Sequence, residues 1–179
     1  MLVDGGAWDG DTIRELVSRD RLEYCYAIEP DPSTLVQLTR FVSDSNLASK
    51  VEIHPVACWS SNGVLPFNAM GTMGSQVDFA NGTATVKCAT IDSIVTRRIT
   101  CIKLDVEGAE LQAIEGARQT ITRDRPVLAI SAYHSPQDLW RIPILVKNIC
   151  PDYNVFLRRY DEDCWELMIY AVPPERMLP

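Results

Sequence analysis

The chain has 179 residues, enough for one well-packed domain and too few for two of ordinary size. Its 46% hydrophobic and 23% charged content fits a globular fold. A net charge of −7 argues against a nucleic-acid or anionic-membrane partner, since both need clustered Lys and Arg; Arg97-Arg98 and Arg158-Arg159 read as solvated edges. No apolar run approaches the roughly 20 residues that span a bilayer, and no basic stretch followed by an apolar one marks a secretory signal, so a cytoplasmic location is expected. The cysteines (Cys25, Cys58, Cys88, Cys101, Cys150, Cys164) contain no C-x-x-C pair and mostly lie in apolar runs, as reduced structural thiols do. Zinc is not expected, because neither His54 nor His134 has a ligand-spaced neighbour.

In chain order, Leu2-Val3 runs into Asp4-Gly5-Gly6, and Ile13, Leu16 and Val17 then recur at helical spacing. With Asp4 in the turn, only Met1 to Val3 remain for a strand that should be central. The natural protein is therefore expected to carry residues before this truncated strand. Tyr24 to Ile28 is a short strand ending at Glu29-Pro30, and Asp31 suits the N-cap of a helix with Pro32 in its first turn and Leu35, Leu38, Phe41 and Val42 as its stripe. Val51 to Cys58 reads as a third strand. The stretch from Trp59 to Thr90 is the least regular, with Met70, Met73 and Phe79 in a candidate lid or a satellite cluster. Ile99 to Asp105 is a fourth strand, followed from about Ala109 by a helix that buries Leu111, Ile114 and Ile121. Pro126 to Ala132 is a fifth strand. Leu139, Ile142, Leu145, Val146 and Ile149 mark a helix that Pro143 should kink or delay. Val155 to Leu157 and Leu167 to Tyr170 flank the polar turn Asp161-Glu162-Asp163, as in an antiparallel hairpin. This alternation predicts one α/β domain over residues 1–179, with a mainly parallel sheet and right-handed crossovers.

The chemistry gathers at strand ends. Asp105 and Glu107 should project to one side if the fourth strand continues that far. Acids there sit where open α/β sheets bind ligands, and burying them is costly unless a partner or a task compensates. Asp4 to Thr12 follows a strand and opens a helix, so its glycines let the backbone turn and approach a ligand, and the helix N-terminus offers free N–H groups to an anionic group. Glu29 can accept hydrogen bonds from both hydroxyls of a ribose. Ala7 breaks the dinucleotide pattern G-x-G-x-x-G, and the chain lacks room for a second nucleotide-binding half. Asp4, ahead of the glycines, is instead similar to the acid of S-adenosylmethionine sites. A nicotinamide-binding oxidoreductase and a non-catalytic interaction domain, oligomeric through an exposed first-strand edge, are the competing readings.

Asp4 to Thr12, Ile28-Glu29-Pro30-Asp31, Thr90-Ile91-Asp92-Ser93 and Ile102 to Leu111 resemble the FkbM family of methyltransferases and occur in its order. Trp165 to Ala171 is similar to one branch of that family. The resemblance implies a Rossmann-like seven-stranded, mainly parallel sheet with an antiparallel C-terminal hairpin and helices on both faces. It also implies S-adenosylmethionine as methyl donor and an O-methyl product on a sugar or another small molecule. By position it implies a cofactor turn of Asp4, Gly5, Gly6, Ala7, Gly10, Asp11 and Thr12, a ribose-binding Glu29 beside Pro30, adenine-side contacts at Ala57 and Cys58, and Asp105 next to the transferred methyl.

A hydroxyl acceptor must also lose its proton, so a base within reach helps. Asp105, Glu107 and His134 are the candidates, and His134 has the most suitable unperturbed pKa. The competing duties are for Asp105 to orient the cofactor's ammonium group, for Glu107 and Glu110 to complement a helix N-terminus, and for His134 to make a structural hydrogen bond. A divalent cation among the three lacks a further clear carboxylate or amide ligand and is not expected.

Overall fold

A computed structural model describes residues 1–71, 74–160 and 167–177. In chain order the elements are β1 (Leu2–Gly5), α1 (Asp11–Ser18), β2 (Cys25–Ile28), α2 (Pro32–Asp44), β3 (Val51–His54), β4 (Ala57–Cys58), β5 (Gly63–Asn68), β6 (Gln76–Val77), β7 (Ala84–Ala89), α3 (Ile91–Ile94), β8 (Cys101–Leu104), α4 (Glu110–Glu115), α5 (Arg118–Asp124), β9 (Val127–Ser131), α6 (Asp138–Ile149), β10 (Asn154–Arg159) and β11 (Leu167–Val172). The main sheet has seven strands in the order β10-β11-β9-β8-β1-β2-β3. All its pairings are parallel except those of β11, which runs antiparallel to both β9 and β10.

The central parallel strands are mostly apolar because helices cover both faces. Alternate residues divide the core accordingly. Val3, Tyr26, Ile28, Ile102 and Leu104 pack with Ile114, Ile121, Ile142 and Val146 of α4 to α6. Leu2, Cys25, Ala27 and Val51 pack with Ile13, Leu38 and Val42 of α1 and α2. From β1 the chain winds outward through β2 and β3, then returns to the other side of β1 as β8. That reversal opens a crevice at the carboxyl ends of β1 and β8, the general ligand position in such sheets.

Several local expectations are met. Asp31 caps α2 by accepting from the Ser33 N–H at 2.8 Å, with Pro32 in the first turn. The hairpin pairs Asn154 with Val172 through to Arg159 with Leu167. Its predicted turn, Asp161-Glu162-Asp163, lies outside the described residues, as do Met73, Cys164, Trp165 and Glu166.

Others are corrected. Asp4 and Gly5 belong to β1 and not to the turn, with Asp4 paired to Ala27 on one side and Lys103 on the other. Val51 to Cys58 is two strands in two sheets, because Pro55 has no N–H for a ladder and the chain turns at Val56. The stretch 59–90 is no irregular excursion. Together with β4 it forms a second sheet in the order β4-β7-β5-β6, with Leu65, Phe67 and Cys88 buried. The helix from about Ala109 breaks in two at Gly116, where a Cβ would stand 2.0 Å from the Trp59 carbonyl oxygen. Pro143 lies inside α6 without delaying it, since Ile142 and Val146 are fully buried anchors on either side. Among the described residues Cys25, Cys58, Cys88, Cys101 and Cys150 are free thiols, and no helix is long and apolar enough to cross a membrane.

Candidate active site

A cavity of about 810 Å³ opens above the carboxyl ends of β1, β2, β8 and β9, large enough for a nucleoside cofactor and a small acceptor together. Its floor is the β1–β8 junction. Asp4 is fully buried, and Lys103 Nζ stands 3.1 Å from its Oδ1 while donating to the Gly6 carbonyl at 3.3 Å. The ion pair is not aligned as a hydrogen bond, so both Asp4 oxygens keep unused acceptor capacity. Burial pushes the Asp4 carboxyl upward, partly offset by Lys103. For Lys103 burial acts downward, but Asp4, Asp105 and Asp11 outweigh it and hold the ammonium charged.

Gly6 lines this floor at φ +75°, and a Cβ there would meet the Asp105 carbonyl oxygen at 1.8 Å. The glycine is therefore required by the end of β8, whereas the motif suggested room for a ligand. Gly6→Ala is expected to abolish cooperative folding, checked by thermal unfolding of the purified variant; a native-like melt would contradict the packing described.

Glu29, 7% exposed, forms the next wall. Its Oε2 accepts from the Trp8 N–H at 3.0 Å and its Oε1 from the Asp31 N–H at 2.9 Å, which fixes the carboxylate and leaves each oxygen a further lone pair. Burial raises its pKa despite these donors. Trp8, also on the wall, is held at φ +43°, a strained setting for a bulky side chain. Cys58 is pushed up to about 12 by burial, so it is an apolar wall atom and no nucleophile.

The second sheet closes the cleft with Phe67, Ser75, Gln76 and Val77. Asp31 ties it down: besides capping α2, its Oδ2 accepts from the Gly71 N–H and the Ser75 hydroxyl. Burial raises the Asp31 pKa, but these donors and Ser33 outweigh it and hold it at about 2. Because the folded value is depressed, the stability this group contributes is complete above its ordinary 3.8 and is lost as pH falls toward about 2. The difference in urea stability between wild type and Asp31→Asn should be constant above pH ~5 and shrink below pH ~4. A gap that does not change with pH would contradict this role.

At the far side, β8 ends at Leu104, so Asp105 and Glu107 do not share a strand face by pleating. A turn with Glu107 at φ +52° and Gly108 at φ +91° brings them together instead. Glu107 Oε2 lies 3.3 Å and Asp105 Oδ1 3.7 Å from His134 Nε2. Tyr133 donates to Asp105 Oδ1 at 2.9 Å, and burial and Asp105 raise the phenol, which stays a donor. Glu110 is 1% exposed; its Oε1 accepts from the Val106 N–H at 3.0 Å and meets His134 Nδ1 at 2.9 Å, tying turn and imidazole together. Burial alone would lower the His134 pKa, but Glu107 and Glu110 lift it to about 10. The ordinary imidazole value that favoured His134 as a base therefore does not apply here.

A sequence model of the FkbM methyltransferase domain matches residues 4–164. The chain belongs to the FkbM methyltransferase family. It is 32% identical, with a TM-score of 0.80, to an FkbM methyltransferase from Methylobacillus flagellatus, covering 95% of this chain and 42% of that one. This chain thus spans less than half the length of that relative. Its fold is shared more distantly by precorrin-6y C5,15-methyltransferase from Geobacter metallireducens (12% identity, TM-score 0.56, 96% of this chain and 78% of that one). It is also shared by a Streptococcus mutans protein solved in complex with SAH (14% identity, TM-score 0.57, 96% and 88%). A comparison with curated protein sequences returned no match.

This is an FkbM methyltransferase fold, and the cleft fits S-adenosylmethionine, the methyl donor expected from the sequence. Glu29 keeps acceptor lone pairs for ribose, Asp11 suits its cationic end, and the buried Ala57 and Cys58 offer an apolar wall. Of the predicted residues, Gly6, Asp11, Glu29, Pro30, Ala57, Cys58, Asp105, Glu107 and His134 line the cleft. Asp4, Gly5, Ala7, Gly10 and Thr12 do not. Asp4 and Gly5 lie within β1, Ala7 is fully buried against Ile13, Gly10 is the N-cap of α1, and the Thr12 N–H is taken by Asp11 at 2.6 Å. Lys103 and Tyr133 were missed. Lys103 left a signal, a lone cation inside the apolar run Ile102-Lys103-Leu104, which a buried strand tolerates only beside an acid.

Proposed function

We propose that this FkbM domain transfers a methyl group from S-adenosylmethionine to a hydroxyl of a sugar or another small-molecule acceptor. The observation that carries it is that one cavity joins the ribose-type carboxylate Glu29 to the Asp105–Glu107–His134 cluster. When bound, the cofactor supplies an electrophilic methyl group on a sulfonium. Glu29 would hold its ribose and Asp11 its amino-acid end, above the buried Asp4–Lys103 pair. Alignment of donor and acceptor is the main demand of such a displacement, and a rigid cleft floor supplies it.

Asp105 is the residue best suited to take the acceptor's proton. Tyr133 engages its Oδ1, leaving Oδ2 without a hydrogen bond among the described residues, whereas His134 already carries a proton at neutral pH. The wall carries Asp11, Glu29, Asp105 and Glu107 against Lys103 and His134, so neutral or cationic acceptors are favoured over anionic ones.

Titration calorimetry with S-adenosylhomocysteine and, separately, NAD is the test. Saturable binding of S-adenosylhomocysteine with no response to NAD is expected. Binding of NAD alone would overturn the reading in favour of an oxidoreductase, and binding of neither would leave an interaction domain.

A further inference from the structure

We infer that Asp105, Glu107 and His134 form a binding site for one first-row divalent cation of the Mn²⁺ or Zn²⁺ type. One ligand atom from each of these side chains lies within 4.8 Å of the others, and no ion is present. Ligand atoms bound at about 2.0–2.2 Å around one tetrahedral ion stand roughly 3.4 Å apart. The separations of 3.3 Å and 3.7 Å from His134 Nε2 bracket that spacing.

The second observation is the imidazole itself. Its side chain is 10% exposed, and Nε2 has no aligned hydrogen-bond partner although two carboxylate oxygens face it. Nδ1, in contrast, is engaged at 2.9 Å by the buried Glu110. A carboxylate on one ring nitrogen is how metal-ligating histidines are oriented, because it keeps a proton on that nitrogen while the ion displaces the proton of the other. Glu110 also accepts from the N–H groups of Val106 at 3.0 Å and Gly108 at 3.4 Å, so the same carboxylate positions the turn that carries the two acidic ligands. Glu107 is held at φ +52°, a strained left-handed setting, and an ion between the acids would offset that strain.

A mixed set of one imidazole and two carboxylates suits Mn²⁺ and Zn²⁺ better than Mg²⁺ or Ca²⁺, which prefer all-oxygen shells. Three protein ligands leave positions open toward the cleft, as in catalytic rather than structural sites. The cation would act as a Lewis acid on the acceptor side of the cavity. This inference stands on these side chains and does not depend on which acceptor is used.

The experiment is calorimetric titration of the metal-stripped full chain with Mn²⁺, Zn²⁺ and Mg²⁺ in turn, without cofactor, alongside low-temperature electron paramagnetic resonance of the Mn²⁺ sample. One equivalent of Mn²⁺ or Zn²⁺ should bind, with Mg²⁺ much weaker. Glu110→Gln should weaken that binding about 10–100-fold and Glu107→Gln at least as much, since the first acts through the imidazole and the second is a ligand. Glu52→Gln, which alters the exposed partner of His54 instead, should leave it unchanged. Circular dichroism of Glu107→Gln, a half-buried turn variant, checks that the fold is kept. No binding of any of the three ions to wild type would overturn the site, as would unchanged Mn²⁺ and Zn²⁺ affinity in folded Glu107→Gln. Because no cofactor is present, these results are independent of S-adenosylhomocysteine binding.

Discussion

Glu29→Gln is expected to weaken S-adenosylhomocysteine binding about 100-fold, or about 2.8 kcal/mol. Hydrogen bonds to a charged group are worth about 1.5–3 kcal/mol each, and the amide loses charge and acceptor capacity together. The substitution also turns an NH₂ group toward the Trp8 or the Asp31 N–H, the two donors that fix the side chain. The free protein should therefore lose about 1–3 kcal/mol of stability as well, because a buried donor is left without its acceptor. Calorimetry and thermal unfolding separate the two effects. Affinity unchanged in a folded variant would place the ribose elsewhere.

Lys103→Met carries the largest expected effect on stability. It leaves Asp4, fully buried, without its only ion-pair partner among the described residues, and breaking a buried pair from one side costs about 3–5 kcal/mol. For a domain of this size that corresponds to a fall in Tm of about 10 °C. The double variant Asp4→Asn/Lys103→Met removes the stranded charge and should recover most of the loss, since replacing both partners of a buried pair is often close to neutral. Equal losses in the single and double variants would mean that Lys103 acts through packing of its stem and not through its charge.

The main sheet was legible because each of its parallel strands is a short apolar run between turn residues, and because Asp31-Pro32 announces α2 chemically. The second sheet was not. Its strands β4 and β6 are two residues long, Pro66 interrupts β5, and the pairing of Ala57 with Cys88 joins positions far apart in sequence. Nothing in a local pattern encodes such a contact. The break at Gly116 was hidden for the same reason, since its cause is the Trp59 carbonyl, contributed by another element.

The site divides in a similar way. Glu29 was readable from its place after a strand and a glycine turn, and the structure puts it on the cleft wall. Asp105 and Glu107 do face a common partner, but a left-handed turn brings them there, where the expected cause was strand pleating. Glu110 looked like a complement to a helix N-terminus. Its backbone acceptances at Val106 and Gly108 fit that view, yet its hold on His134 Nδ1 could not be read from spacing. What stayed illegible is what depends on elements meeting: the register that sets Asp4 opposite Lys103, and the field that lifts His134 to about 10.

The most direct test of the account is a crystal structure of this chain with S-adenosylhomocysteine. The ribose hydroxyls should lie within hydrogen-bond distance of the Glu29 carboxylate, and the sulfur should face the side of the cleft that holds Asp105. A ligand bound away from Glu29, or with its sulfur turned from Asp105, would contradict it.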